Sequence, residues 1–147
     1  MKNQLNYAQL FLRFALGIAF IYAVIDRLGW LGPADGKNIA WGNWQSFLDY
    51  THILVPFLSR SLSDILGLIA TVSEAVFGIL LIIGFKTRLS AIGSFALLLG
   101  FALCMAISLG LKAPFNYSVF SASAGALLLS TTSVYKWSID NLLIKNK

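Results

Sequence analysis

ILGLIATVSEAVFGILLIIGF (Ile65–Phe85) is a run of 21 residues with a single charge, Glu74, near its middle. That length and apolarity fit a helix crossing the hydrocarbon core of a bilayer. A carboxylate placed there costs roughly 2.5–3.5 kcal/mol even on lenient insertion scales, so it must face protein and find a partner. Gly67, Ala70, Thr71 and Gly78 recur around Glu74 at helical spacing. Small residues on one face let a second backbone come close, as packing inside lipid requires. The run therefore predicts a membrane helix whose acidic side chain lies on a packed face.

Working outward, three more blocks have spanning length: about 5–25, 89–111 and 115–135. Taken with 65–85, they predict an all-α membrane protein, an antiparallel four-helix transmembrane bundle. The whole of 1–147 forms one domain on this reading. A few short spans cannot close a β-barrel, which leaves helices. Each helix carries a stripe of small or polar residues: Gln9, Arg13 and Gly17 on the first, Gly93, Ala96, Gly100, Cys104 and Ser108 on the third, and Ser118, Ser121, Ala122 and Gly125 on the fourth. The first block is too long for a signal peptide, is interrupted by Arg13 and is followed by no small-residue cleavage site, so it reads as an uncleaved helix.

Composition agrees. Hydrophobic residues make up 58% of the chain and charged ones 12%, about half the charge of a soluble domain. The net charge is +5, but the basic residues are scattered, which excludes nucleic acid as a partner and points to membrane orientation. Lys2, Lys86, Arg88, Lys136, Lys145 and Lys147 fall on one side against Asp140. Arg27, Lys37, Arg60 and Lys112 fall on the other and are balanced by Asp26, Asp35, Asp49 and Asp64. The positive-inside rule then places both termini in the cytoplasm of a multi-pass inner-membrane protein. The single cysteine, Cys104, cannot form an intramolecular disulfide and reads as packing.

The outer loop, about 26–61, opens with the turn formers Gly29, Gly32, Pro33 and Gly36. Asn43 is placed to cap a short interfacial helix starting at Trp44. Its aromatics would lie at headgroup depth, either resting on the membrane or closing a cavity as a lid. Arg27, Asp64, Trp41, Trp44 and His52 are the candidate rim or lid residues, and Arg60 with Asp64 could pair with Arg27 across the rim. His52 has no second histidine to join it, so no metal site is expected.

Arg13, Glu74, Thr71 and Gly78 form the candidate buried site. Counting 1.5 Å per residue, Arg13 lies about 9–12 Å into the membrane and Glu74 about 16 Å from the same face, a mismatch of about one turn. A guanidinium bridges that distance if the helices are adjacent. Alternatively, Arg13 snorkels to the headgroups.

The first helix has Leu12-Arg13 and Leu16-Gly17, with Arg27 at its outer end. The second has Glu74 followed by a glycine-containing apolar run to Gly84, then Thr87-Arg88. These two motifs resemble the DoxX family of small bacterial membrane proteins. Val24 departs from the family's usual glycine and Arg27 from its usual lysine. The resemblance implies four spans, a long first loop and association with a thiosulfate:quinone oxidoreductase. No haem, flavin or nicotinamide motif and no thiol pair is present, so any redox role runs through a quinone or a partner subunit. Three functions remain open: an accessory redox subunit binding a quinone-like ligand, a scaffolding protein with a purely structural polar core, or a small transporter. A membrane partner protein and a homo-oligomer are both compatible with the sequence. No independent catalytic constellation is visible.

Overall fold

The structure is a computed structural model that describes residues 2–145, the side chains of Lys2, Asn3 and Lys145 excepted. The expected orienting charges Lys2, Lys145 and Lys147 therefore lie outside what is described. The described chain is helical: α1 Lys2–Arg27, α2 Trp44–Leu54, α3 Arg60–Ile83, α4 Thr87–Leu109, α5 Lys112–Asn116, α6 Val119–Ser130 and α7 Ile139–Lys145. Three of these helices, α1, α3 and α4, are long and apolar enough to cross a membrane. Their outward faces carry Ile18, Ile65, Ile69, Val72 and Ile79, each more than half exposed. Such a surface is stable only against hydrocarbon.

α1 and α3 run in opposite senses. Arg13 meets Leu81 and Ile82, Gly17 meets Gly78, and Arg27 meets Thr71 and Glu74. The closest approach is at the two glycines. A methyl on Gly17 would stand 2.9 Å from the Gly78 carbonyl oxygen, and one on Gly78 would stand 3.1 Å from that of Gly17. Only hydrogen side chains permit this backbone contact, which holds the two arginine sites of α1 against α3. Leu16, Phe20, Leu81, Ala91, Ala126, Leu129 and Tyr135 form the core between α1, α3, α4 and α6.

The expected fourth span, 115–135, is not one helix. α6 has 12 residues, about 18 Å of rise against a hydrocarbon core of about 30 Å. Before it, the chain breaks at Ser118, whose φ of 55° is left-handed. After it, the hydroxyls of Ser130 and Thr131 donate to the carbonyls of Leu127 and Leu128 (2.6 and 2.7 Å). Hydroxyl side chains compete for backbone partners and end the helix there. The stripes expected on the third and fourth helices face the bundle in part: Gly93 lies against Phe77 and Gly125 against Leu12, Ser108 donates to the Leu54 carbonyl and Ala122 packs on the core. Buried positions are Ser90, Ala91, Ser94, Ala102 and Met105 on α4 and Ser123, Ala126, Leu129 and Ser130 on α6, while Ala96, Gly100, Ser118 and Ser121 face outward. Small residues line both sides of these helices, so periodicity alone does not select the inner one.

Candidate functional site

The outer loop is organised by the last two residues of α1. Asp26 is buried, and its carboxylate accepts backbone N–H groups from Ala40 (3.0 Å), Trp41 (3.4 Å) and Gly42 (3.0 Å). This draws the loop back over the helix end and sets Trp41 above its neighbour Arg27. Asn43 then caps α2, its side-chain oxygen accepting from Ser46 N at 2.8 Å, as the sequence predicts. α2 does more than rest at the interface. Phe47, Leu48 and Leu54 are buried, and Leu48 and Phe47 pack where α3 has only Gly67.

Under this cap lies the ion pair. Arg27 Nη1 donates to the Glu74 carboxylate and to Thr71 Oγ1 (2.9 Å). Thr71 in turn donates to the Gly67 carbonyl (2.9 Å). Both charged side chains are almost fully enclosed, at 3% and 4% exposure. The guanidinium carbon lies 4.0 Å from the Phe47 ring centroid and 4.9 Å from that of Trp41. Arg27 Nε is buried and has no acceptor among the described residues. The expected site thus gathers Glu74, Thr71, Arg27 and Trp41, adds Phe47 and Asp26, and has Gly78 below it at the α1 contact. Phe47 was foreseeable as a member of the capped helix, three residues past Trp44. Asp26 gave only the signal of an acid at a helix end.

Arg13 does not join it, and the expected Arg13–Glu74 pairing is corrected. Arg13 is fully buried but donates only to backbone carbonyls: Leu81 (2.9 Å), Ile82 (3.1 Å), Lys136 and Trp137 (both 3.3 Å). The reason is the end of α3. A helix leaves its last carbonyls without intrahelical donors and carries partial negative charge there. Gly84 closes α3 in the left-handed conformation, φ 70°, and the guanidinium sits over the freed carbonyls of Leu81 and Ile82, about two turns short of Glu74. It does not snorkel either, because the 131–138 segment folds over it.

The remaining rim candidates separate. Asp64 binds Arg60 (2.8 Å), which also reaches Asp49 (2.7 Å), on the exposed surface. The expected rim pairing of these residues with Arg27 is therefore not formed. His52 Nδ1 lies 3.2 Å from Ser63 Oγ. Trp44 packs on Phe47, with ring centroids 5.5 Å apart, and does not contact Arg27. No group of three or more potential metal ligands occurs among the described residues.

These features define a multi-pass membrane protein with a buried, aromatic-capped ion pair between its first and third helices. The chain belongs to the DoxD family: the family model described as "TQO small subunit DoxD" matches residues 8–147. DoxD is a DoxX-like family of small membrane proteins, which narrows the resemblance seen in the sequence. No curated protein and no solved structure matches the chain.

Proposed function

We propose that this chain is the small membrane subunit of a redox complex and that it holds a quinone-like headgroup against Arg27. The family match supports the subunit role, since the matched description is that of a TQO small subunit. The ligand rests on one observation, the buried Nε of Arg27 that lacks an acceptor. A buried donor left without a partner costs about 1–3 kcal/mol, and a quinone carbonyl supplies the missing oxygen. Trp41 and Phe47 offer flat apolar faces for the ring. Glu74, bonded to the same guanidinium, would be the group able to exchange the proton that accompanies quinone reduction, with the electrons supplied by the partner subunit. Entry requires Trp41 to swing aside with its loop.

The finer topology belongs to the same proposal. The whole of 1–147 acts as one membrane domain, and α5, α6 and the following segment together complete a fourth, antiparallel crossing. The exposed cations Lys86, Arg88 and Lys136 gather at one end, which supports cytoplasmic termini in a bacterial inner membrane.

Arg27→Lys tests the site without uncovering a charge, because it keeps the pair with Glu74 and removes Nε. Purified wild-type protein should carry about one extractable quinone per chain, and the variant at least about tenfold less at near-equal stability. Wild-type protein with no quinone would sink the ligand half while leaving the subunit half standing. A second reading, a scaffold whose ion pair only locks the loop to the bundle, is favoured by the closure of Trp41 and Phe47 over Arg27. On that reading an apolar Arg27→Met/Glu74→Leu double variant retains partner association and complex activity.

A further inference from the structure

We infer that the groove between the α3–α4 turn and α7 binds the phosphate of an anionic phospholipid. This site is remote from Arg27 and independent of the quinone reading. The groove has a volume of about 390 Å³ and is walled by Lys86, Thr87, Arg88, Leu89, Tyr135 and Leu143, with Asp140 among them.

The charges favour an anion. Lys86 and Arg88 are exposed and have no carboxylate partner among the described residues. Asp140 stands in the same wall, where its two oxygens accept the backbone N–H groups of Lys86 (2.8 Å) and Thr87 (2.7 Å). It caps α4, and its charge is compensated by the positive end of that helix. Thr87 provides a second, independent observation. The residue lines the groove, and its hydroxyl is buried with no hydrogen-bond partner among the described residues. A phosphate oxygen supplies that partner when the side chains over it part.

Two further features select a lipid over a free ion. Leu89, Leu143 and Ile144, 64%, 51% and 68% exposed, continue the groove as an apolar wall that an acyl chain can follow. On the same end of the molecule, Tyr7 and Trp137 stack at 5.3 Å with both rings exposed. Paired aromatics of this kind mark headgroup depth. Basic pockets between membrane helices at that depth suit phospholipid headgroups.

The test uses the full chain in detergent, titrated with phosphatidylglycerol or phosphatidylcholine and read by native mass spectrometry and thermal midpoint. Phosphatidylglycerol should bind more tightly than phosphatidylcholine. Lys86→Gln/Arg88→Gln should weaken it about thirtyfold, roughly fivefold per cation, while Arg60→Gln at the opposite end leaves it unchanged. Thr87→Val should weaken lipid binding several-fold yet hold or raise the midpoint of the lipid-free protein, because it removes an unpartnered hydroxyl. Equal binding of the two lipids, or undiminished binding by the double variant, overturns the inference. Displacement of the lipid by millimolar inorganic phosphate would reassign the groove to the free ion and overturn it as well.

Discussion

Two arginines on α1, fourteen residues apart, are buried to the same degree and do different work. Arg13, in the N-terminal half of α1, bonds four backbone carbonyls and no carboxylate. Arg27, at the C-terminal end of α1, faces a carboxylate, a hydroxyl and two aromatic rings, with its buried Nε left without an acceptor. The first spends four of its five N–H groups on backbone carbonyls, and none of its nitrogens is buried without a partner. The second is incompletely satisfied and sits beneath the loop that Asp26 draws over it. Burial of a charge inside a membrane protein does not by itself indicate function. The difference lies in whether its hydrogen-bonding capacity is exhausted.

The largest expected effect falls on Arg13. Arg13→Leu strips donors from four carbonyls, two at the end of α3 and two in the segment after α6, of which Lys136 keeps a second donor in Gln9. At about 1–3 kcal/mol per buried unpaired group, the three left bare should cost roughly 3–9 kcal/mol, and folded protein should be scarce on size exclusion in detergent. Glu74→Gln should give no rescue. Recovery of Arg13→Leu by that second change would mean that the inner arginine reaches the carboxylate after all.

At the outer end, Arg27→Ala should cost about 3–5 kcal/mol, because it leaves Glu74 buried and unpaired. Here rescue is expected. Arg27→Met/Glu74→Leu removes both charges and should return most of the thermal midpoint, since well-packed apolar replacements of buried pairs are often neutral or better. The contrast between an end that a second substitution repairs and one that it does not is the sharpest form of the comparison. If the double variant stays as unstable as the single one, the outer pair is as indispensable to the fold as the inner cap.

A smaller effect separates cap from pair. Trp41→Ala leaves the Glu74 and Thr71 bonds intact and removes one ring from the guanidinium. The loss should be about 1–2 kcal/mol, accompanied by faster exchange of bound quinone. A change in stability with no change in exchange would make Trp41 a packing residue rather than a cover.

How far the sequence revealed this follows from the same contrast. Glu74 on a packed face was legible, because a lone charge in a span has few places to go. The Asn43 cap and the helix from Trp44 were legible from local chemistry. The partner of Glu74 was not. Depth counting brings Arg13 within about a turn of it, but counting ignores the helix-end carbonyls, which lie nearer. Arg27 reads as a rim residue because its position marks the end of a helix, and nothing in the sequence says that its side chain turns inward beneath Phe47. The single fourth helix expected over 115–135 misled for a related reason. Its 21 uncharged residues satisfy a length rule, while the hydroxyls of Ser130 and Thr131 that end α6 act through local geometry that hydropathy does not register.

The smallest effect belongs to the exposed counterpart of the buried pair. Arg60 bridges Asp49 and Asp64 at the outer surface (2.7 and 2.8 Å). The Arg60 hydrogen bond, helped by Gln45, holds the Asp49 carboxyl below its usual range. A carboxylate depressed on folding stabilises the fold above its unfolded titration range and loses that contribution as pH falls through its folded value. Asp49 is open to water, however, and pairs of this kind contribute little. Asp49→Asn should therefore leave the thermal midpoint unchanged at neutral pH, and the gap between variant and wild type should stay within error as the solution is acidified. A clear acid-dependent divergence would show that the loop is held by its surface charges. The anchoring role would then pass from Asp26 and Arg27 beneath it to the network outside.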